Sequence, residues 1–147
     1  MAKKEEFTDE HERVASDLRF LVSGLQRDEL DLDLFDRMEN RLKNHMYDEE
    51  NFIFKKIEKR YELGNEIAGF ETEHAAMWRL IDLIHDEINT GHHVKIKKYF
   101  DELSDIFREH NTREERYVYS KLGEYESVTE RERPRNWICN RLNRRTA

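Results

Sequence analysis

The stretch HMYDEENFIFKK, residues 45–56, has a counterpart in HNTREERYVYSK, residues 110–121. Each copy contains His, then two adjacent Glu four and five residues later, then an aromatic-aliphatic-aromatic triplet and a Lys. Upstream of each copy, apolar residues recur at alternating steps of three and four. Such steps are typical of one face of an α-helix. The sequence therefore predicts two copies of one amphipathic helix, 65 residues apart.

A second repeated pattern precedes each of these helices, with an offset of 63 residues. Its members are Phe7, His11, Val14, Leu18, Leu21 and Leu25 in the first copy, and Phe70, His74, Met77, Ile81, Ile84 and Ile88 in the second. The two patterns together predict helices over residues 5–27, 32–61, 66–89 and 94–122. Gly64 is the residue expected to end the second helix. Because short connections join long helices, we expect an all-α, up-down-up-down antiparallel four-helix bundle.

The composition changes near the C-terminus, where residues 126–147 contain six arginines against three glutamates. We therefore expect a bundle over residues 1–123 and a short basic C-terminal extension over residues 124–147, either a tail or a short capping helix. Pro134 is placed to open such a helix, with Trp137, Ile138 and Leu142 packing on the bundle. A capping role is the simpler interpretation of this segment, and a functional docking role is the alternative.

Bulk composition excludes several classes of protein. A net charge of −7 over 147 residues gives no reason to expect binding to nucleic acid or to a membrane, since both favour excess positive charge. The single cysteine, Cys139, excludes an intrachain disulfide. No apolar run approaches the roughly 20 residues of a membrane span, and the N-terminus lacks the apolar core of a secretory signal. We expect a cytoplasmic protein.

Histidine and glutamate interrupt the apolar face of the predicted helices. Residues four apart project to the same side, about 40° from each other, so His45 lies beside Glu49 and His110 beside Glu114. Positions midway between helix histidines fall in the predicted turns, which places the histidines at one depth in the bundle. The residues expected in this layer are His11, His45, Glu49, His74, His110 and Glu114.

Buried carboxylates and imidazoles need a compensating partner, because an unpaired buried charge costs several kcal/mol. Imidazole and carboxylate donors without thiolate suit iron, manganese or zinc, and shared carboxylates can bridge two ions. Taken singly, each histidine could be a boundary residue, but their common layer favours metal. Glu50 and Glu115 project away from their histidines, and we expect them at the surface or supporting a ligand. A ferritin-like site is disfavoured because the motif Glu71-x-x-His74 occurs once.

With this ordered set of residues, the chain resembles the hemerythrin (HHE cation-binding) family over residues 5–122. The resemblance implies two non-haem iron ions, Fe2+ or Fe3+, with an oxo or hydroxo bridge, and it assigns Glu49 and Glu114 as bridging ligands. The ligand set is most similar to that of the hemerythrin domains of iron-centre-repair and iron-sensing proteins. Oxygen-carrying hemerythrins have a further histidine four residues after the helix-three ligand, where this chain has Trp78.

The resemblance implies a protein that binds O2 or NO for sensing, scavenging or delivery. The alternatives are a di-iron enzyme that reduces NO or peroxide or repairs damaged iron centres, and an iron sensor. The expected partner of this protein is a small diatomic ligand or peroxide. The sequence carries no signal that decides whether the chain is an enzyme.

Overall fold

Four long helical stretches form an antiparallel bundle in the computed structural model, which describes residues 4–91, 93–121 and 133–146. The first stretch is α1 (Lys4–Leu25). The second comprises α2 (Leu32–Asp48), a π-helical segment (Glu49–Ile53) and α3 (Phe54–Tyr61). The third and fourth are α4 (Gly64–Thr90) and α5 (Ile96–Tyr117), the latter followed by a 3-10 turn (Tyr119–Lys121). A short helix, α6 (Asn140–Thr146), packs on α4, and no strand occurs in the described residues.

The predicted all-α bundle is confirmed, and the helix limits agree with the prediction to within a few residues. The end predicted for the fourth helix, position 122, and the start of the tail through 132 lie outside the described residues. Asp31 caps α2, because its carboxylate accepts a hydrogen bond from the backbone N–H of Leu34 at 3.0 Å. The prediction for Gly64 is wrong, since α3 ends at Tyr61, the capping residue Glu62 adopts the left-handed conformation, and Gly64 begins α4.

Two apolar clusters fill the bundle, and each long helix contributes to at least one of them. The larger cluster contains residues such as Leu18, Met38 and Phe100. The smaller contains Ile53, Phe54, Ile57, Ile67, Phe70, Val118 and Tyr119. Glu49, His74, His110 and Glu114 fall between residues of the two clusters along their helical stretches, and His45 lies at the edge of the larger cluster, between Leu42 and Met46. The layer is therefore enclosed by apolar side chains on both sides.

The C-terminal segment packs on the bundle through an aromatic contact. The ring of Trp137 lies 5.3 Å from that of Tyr47 and 5.5 Å from that of Trp78, and Leu142 packs against the larger cluster, as expected. Ile138 is instead 38% exposed, and Cys139 is the buried residue. Pro134 does not open α6, because it forms a turn in which the backbone N–H of Trp137 donates to its carbonyl.

The length and apolarity of the helices were compared with those of a membrane span. Within the described ranges, none of them combines the length and apolarity that a bilayer span requires.

Trp137→Ala should lower the free energy of unfolding by about 2 kcal/mol, since it removes a half-buried indole packed between two aromatic rings. The matched variant Ile138→Ala should lower it by less than about 1 kcal/mol because that side chain is exposed. Urea unfolding followed by circular dichroism measures both. Equal small losses would contradict docking of the C-terminal segment through Trp137.

Candidate metal centre

The six residues predicted from the repeats lie together in one buried layer. Each is at most 4% exposed. They form two groups that share both glutamates: His11, His45, Glu49 and Glu114, and Glu49, His74, His110 and Glu114. Within each group the candidate ligand atoms all lie within 4.8 Å of one another.

In the first group, imidazole nitrogens from α1 and α2 meet the shared carboxylates. His11 Nε2 lies 2.8 Å from His45 Nε2. His11 Nε2 is 3.3 Å from Glu114 Oε1, and His45 Nε2 is 3.3 Å from Glu49 Oε1. Both nitrogens therefore point into one space together with one oxygen of each carboxylate.

In the second group, histidines from α4 and α5 approach the same two carboxylates. His74 Nε2 is 3.2 Å from Glu49 Oε1, and His110 Nε2 is 2.6 Å from Glu114 Oε2. Glu114 thus directs one oxygen toward each group. Glu49 contacts both as well, since its Oε1 atom lies near both His45 and His74. These positions suit carboxylates that bridge two cations.

On the outer side of the layer, the Nδ1 atom of every one of the four histidines lies against a carboxylate. The pairs are His11 with Glu115 at 3.4 Å, His45 with Glu10 at 2.6 Å, His74 with Glu50 at 2.6 Å, and His110 with Glu73 at 3.3 Å. With Nδ1–H donating to the carboxylate, the lone pair of a neutral imidazole is on Nε2, which faces the layer. The carboxylates therefore orient all four rings for binding through Nε2.

Sequence reasoning missed Glu10 and Glu73, although the repeat contained their signal. Each directly precedes a histidine of the layer, His11 or His74, at the same offset of 63 residues. Each reaches across to a histidine of the next helix in the chain. A search for carboxylates that recur beside the repeated histidines would have found both.

Glu50 is more than a surface group. It is 1% exposed, and its two oxygens accept from His74 Nδ1 and from the backbone N–H of Asn140, the latter at 2.8 Å. The π-helical segment begins at Glu49, and both of these adjacent glutamates are buried in it. Glu115, by contrast, has a side chain 43% exposed. Of the two alternatives expected for these glutamates, Glu50 takes the supporting one.

The pKa values of two histidines respond to the carboxylates around them. Burial alone would lower the pKa of His74, but its contacts with Glu49 and Glu50 raise it to about 10. For His45, the charge of Glu49 and the hydrogen bond to Glu10 outweigh burial and raise the pKa well above its ordinary value. His74 therefore holds a second proton at neutral pH when no cation is bound, and the raised pKa of His45 favours its protonated form.

The two shared carboxylates respond in opposite directions. Burial and the charge of Glu114 raise the pKa of Glu49. Burial acts in the same upward direction on Glu114, but the charge of His110 and close contacts with the imidazoles of the layer hold the pKa of Glu114 well below its ordinary range. Protons thus balance part of the negative charge that a cation would otherwise neutralise.

Several buried nitrogen and oxygen atoms in the layer have no hydrogen-bond partner in the part of the chain that the structure describes and are free to bind a metal ion. Glu49 Oε1, His74 Nε2 and both oxygens of Glu114 accept or donate no hydrogen bond within the described residues. Leaving such groups unsatisfied costs about 1–3 kcal/mol each. The two His/Glu clusters are therefore consistent with a dinuclear metal site.

A further residue, Tyr119, was also missed by sequence reasoning. Its hydroxyl donates to Glu49 Oε2 at 3.1 Å and lies close to the Nε2 atoms of His11 and His45. Burial, with the nearby charges of Glu114 and Glu49, raises the pKa of Tyr119 well above its ordinary value. The repeat pairs this tyrosine with Phe54, so the aromatic periodicity alone indicated a core residue.

Fold and layer together define a four-helix-bundle protein with a His/Glu metal site. The chain matches the hemerythrin HHE cation binding domain over residues 3–122 and belongs to that family. Comparison with curated proteins and with solved structures found no match.

Binding of a divalent cation should release protons near pH 7, because His45 and His74 must become neutral to donate from Nε2. Since the pKa of His74 is about 10 and that of His45 is raised, protons compete with the cation, and the cation affinity should rise as the pH is raised from 6 to 8. Titration calorimetry in buffers of different ionisation enthalpy measures the release. The control variant His85→Gln, outside the layer, should release as many protons as the unmodified protein. If the unmodified protein released no protons on binding the cation, the protonation described above would be contradicted.

Proposed function

We propose that this protein holds two non-haem iron ions and binds a small diatomic ligand, O2 or NO, for sensing, scavenging or delivery. His11 and His45 would bind one ion, His74 and His110 the other, and Glu49 and Glu114 both. One observation carries the proposal, namely the buried layer in which four Nε2 atoms and two shared carboxylates converge. Bundles of this kind use such donor sets for dinuclear carboxylate centres.

Charge favours retention of two cations in this layer. Besides Glu49 and Glu114, the four outer carboxylates face the histidines, giving six acidic groups around one site. That is more than enough negative charge to balance two divalent ions. Nitrogen and oxygen donors without thiolate are compatible with iron, manganese or zinc, and among these iron supplies reversible redox chemistry and affinity for O2 and NO.

A surface cleft that reaches the layer supports the binding of a small ligand. A cleft of about 280 Å³ is lined by residues of α1 and α5, among them Ala15, Leu18 and Phe107, and it reaches His11. His11 itself is only 2% exposed, so the ring nearly closes the inner end of the cleft. The cleft is therefore the route by which we expect a small ligand to approach the layer.

Iron sensing is a second candidate, favoured by the contacts of the C-terminal segment. The backbone N–H of Asn140 donates to Glu50, and Glu50 in turn holds His74. A change at His74 on loss of metal would therefore reach α6 through two hydrogen bonds. Hydrogen exchange of residues 137–146 with and without metal tests this link. Equal protection in both states would remove the support for sensing through this segment.

Metal analysis after anaerobic iron loading should give two ions per chain. Glu49→Gln and Glu114→Gln should each lose at least one ion, because an amide bridges poorly and removes a balancing charge. Glu109→Gln, at an exposed carboxylate of α5 outside the layer, is the matched control and should keep both. One ion in the unmodified protein, or equal loss in all three variants, would refute the dinuclear assignment.

The reduced iron-loaded protein should respond to both NO and O2, and air should oxidise it to a form that vacuum does not reverse. The reason is that Trp78 offers no donor to complete the coordination of the ion at His74 and His110; its ring instead contacts Lys43 and Trp137. Optical and Mössbauer spectra through repeated cycles of air and vacuum measure the outcome. Full return to the reduced spectrum would contradict it, and no response to either gas would refute diatomic binding.

A further inference from the structure

The hydroxyl of Tyr119 projects toward the point on which the Nε2 atoms of His11 and His45 converge. This tyrosine follows α5 in the 3-10 turn and is fully buried. Its oxygen lies 3.1 Å from His11 Nε2, 3.0 Å from His45 Nε2 and 3.1 Å from Glu49 Oε2. The one phenol proton goes to Glu49. Hydrogen bonds from both imidazoles to the phenol oxygen would need an N–H on each Nε2 atom, whereas a neutral ring whose Nδ1–H faces its outer carboxylate has a lone pair there.

These spacings are those of atoms bound to a common ion. Nitrogen and oxygen donors lie roughly 2.1 Å from a transition metal, so neighbouring donors at right angles are about 3 Å apart. The two histidine nitrogens are 2.8 Å apart, and the Tyr119 oxygen is at a comparable distance from each. The three atoms therefore have the spacing of one face of an octahedron.

We propose that the Tyr119 oxygen is a protein ligand of the metal held by His11 and His45. This proposal rests on the dinuclear site proposed above and adds a ligand to one half of it. On binding, a metal–oxygen bond forms and the phenol O–H bond breaks, with the proton passing to solvent and no change of oxidation state. Tyrosine phenolate is an established ligand type for ferric iron in proteins.

The second half of the site is different. The residue related to Tyr119 by the repeat is Phe54, whose ring stacks on His74 at 5.7 Å and has no oxygen to offer. Two ions bound by otherwise similar donors would therefore be inequivalent. The anionic oxygen would favour the ferric state at the ion next to His11, on the side that the cleft reaches.

Resonance Raman spectra of the full-length, iron-loaded and air-oxidised protein test the proposal. Ferric tyrosinate has a visible charge-transfer band, and excitation in that band enhances the ring modes of the bound phenolate. We expect these modes in the unmodified protein and their loss in Tyr119→Phe, with the iron content still two per chain. Tyr117→Phe, which alters a 37% exposed phenol two residues away, is the matched control and should retain them.

The outcomes separate the new ligand from the site itself. Two irons without tyrosinate modes in the unmodified protein would overturn ligation by Tyr119 and leave the dinuclear centre standing. Modes that persist in Tyr119→Phe would also overturn it, since another tyrosine would be their source. Failure of the unmodified protein to hold iron would overturn both proposals. The spectrum of the unmodified protein gives its result whether or not the variant folds.

Discussion

Burial of two carboxylates and four imidazoles between two apolar clusters is the constraint on which the rest of the structure depends. Glu49 and Glu114 are fully buried, and several of their oxygens find no hydrogen-bond donor among the described residues. An apolar bundle tolerates such groups only when positive charge is placed among them. Protons on His45 and His74 supply part of that charge, and two cations would supply it more completely. The burial that makes the layer unstable without positive charge is therefore what we expect to favour cation binding there.

The outer carboxylates follow from that constraint, because a histidine binds metal well only when its ring is oriented. Each Nδ1 atom has a carboxylate partner from a neighbouring helix, so the helices are linked in pairs by the residues that aim the ligands. Glu50 extends this arrangement to the C-terminal segment through Asn140. Packing of the bundle and geometry of the site are thus set by the same contacts.

Most of the fold and all six residues of the layer could be predicted from the sequence, because helical periodicity and an internal repeat report directly on which side chains face the core. Periodicity could not predict the π-helical segment at Glu49, since residues 52–54 are consecutive apolar residues and supply a core side chain in either helical register. It could not assign Tyr119 either, because a buried phenol and a buried phenyl ring give the same pattern. Glu62 was missed as the end of α3 because glycine usually takes the left-handed position.

Thermal unfolding with and without metal tests the central claim most directly. If the layer requires cations, a chelated, demonstrably metal-free sample should melt well below the iron-loaded protein. Metal present at about 1,000 times its dissociation constant adds about 4 kcal/mol, which for a chain of this size corresponds to a shift on the order of 10 °C. Replacing the exposed Glu109 of α5, which lies outside the layer, by Gln should leave that shift in place. An identical melting temperature for the two samples would show that the bundle tolerates its buried charges without metal and would contradict the account.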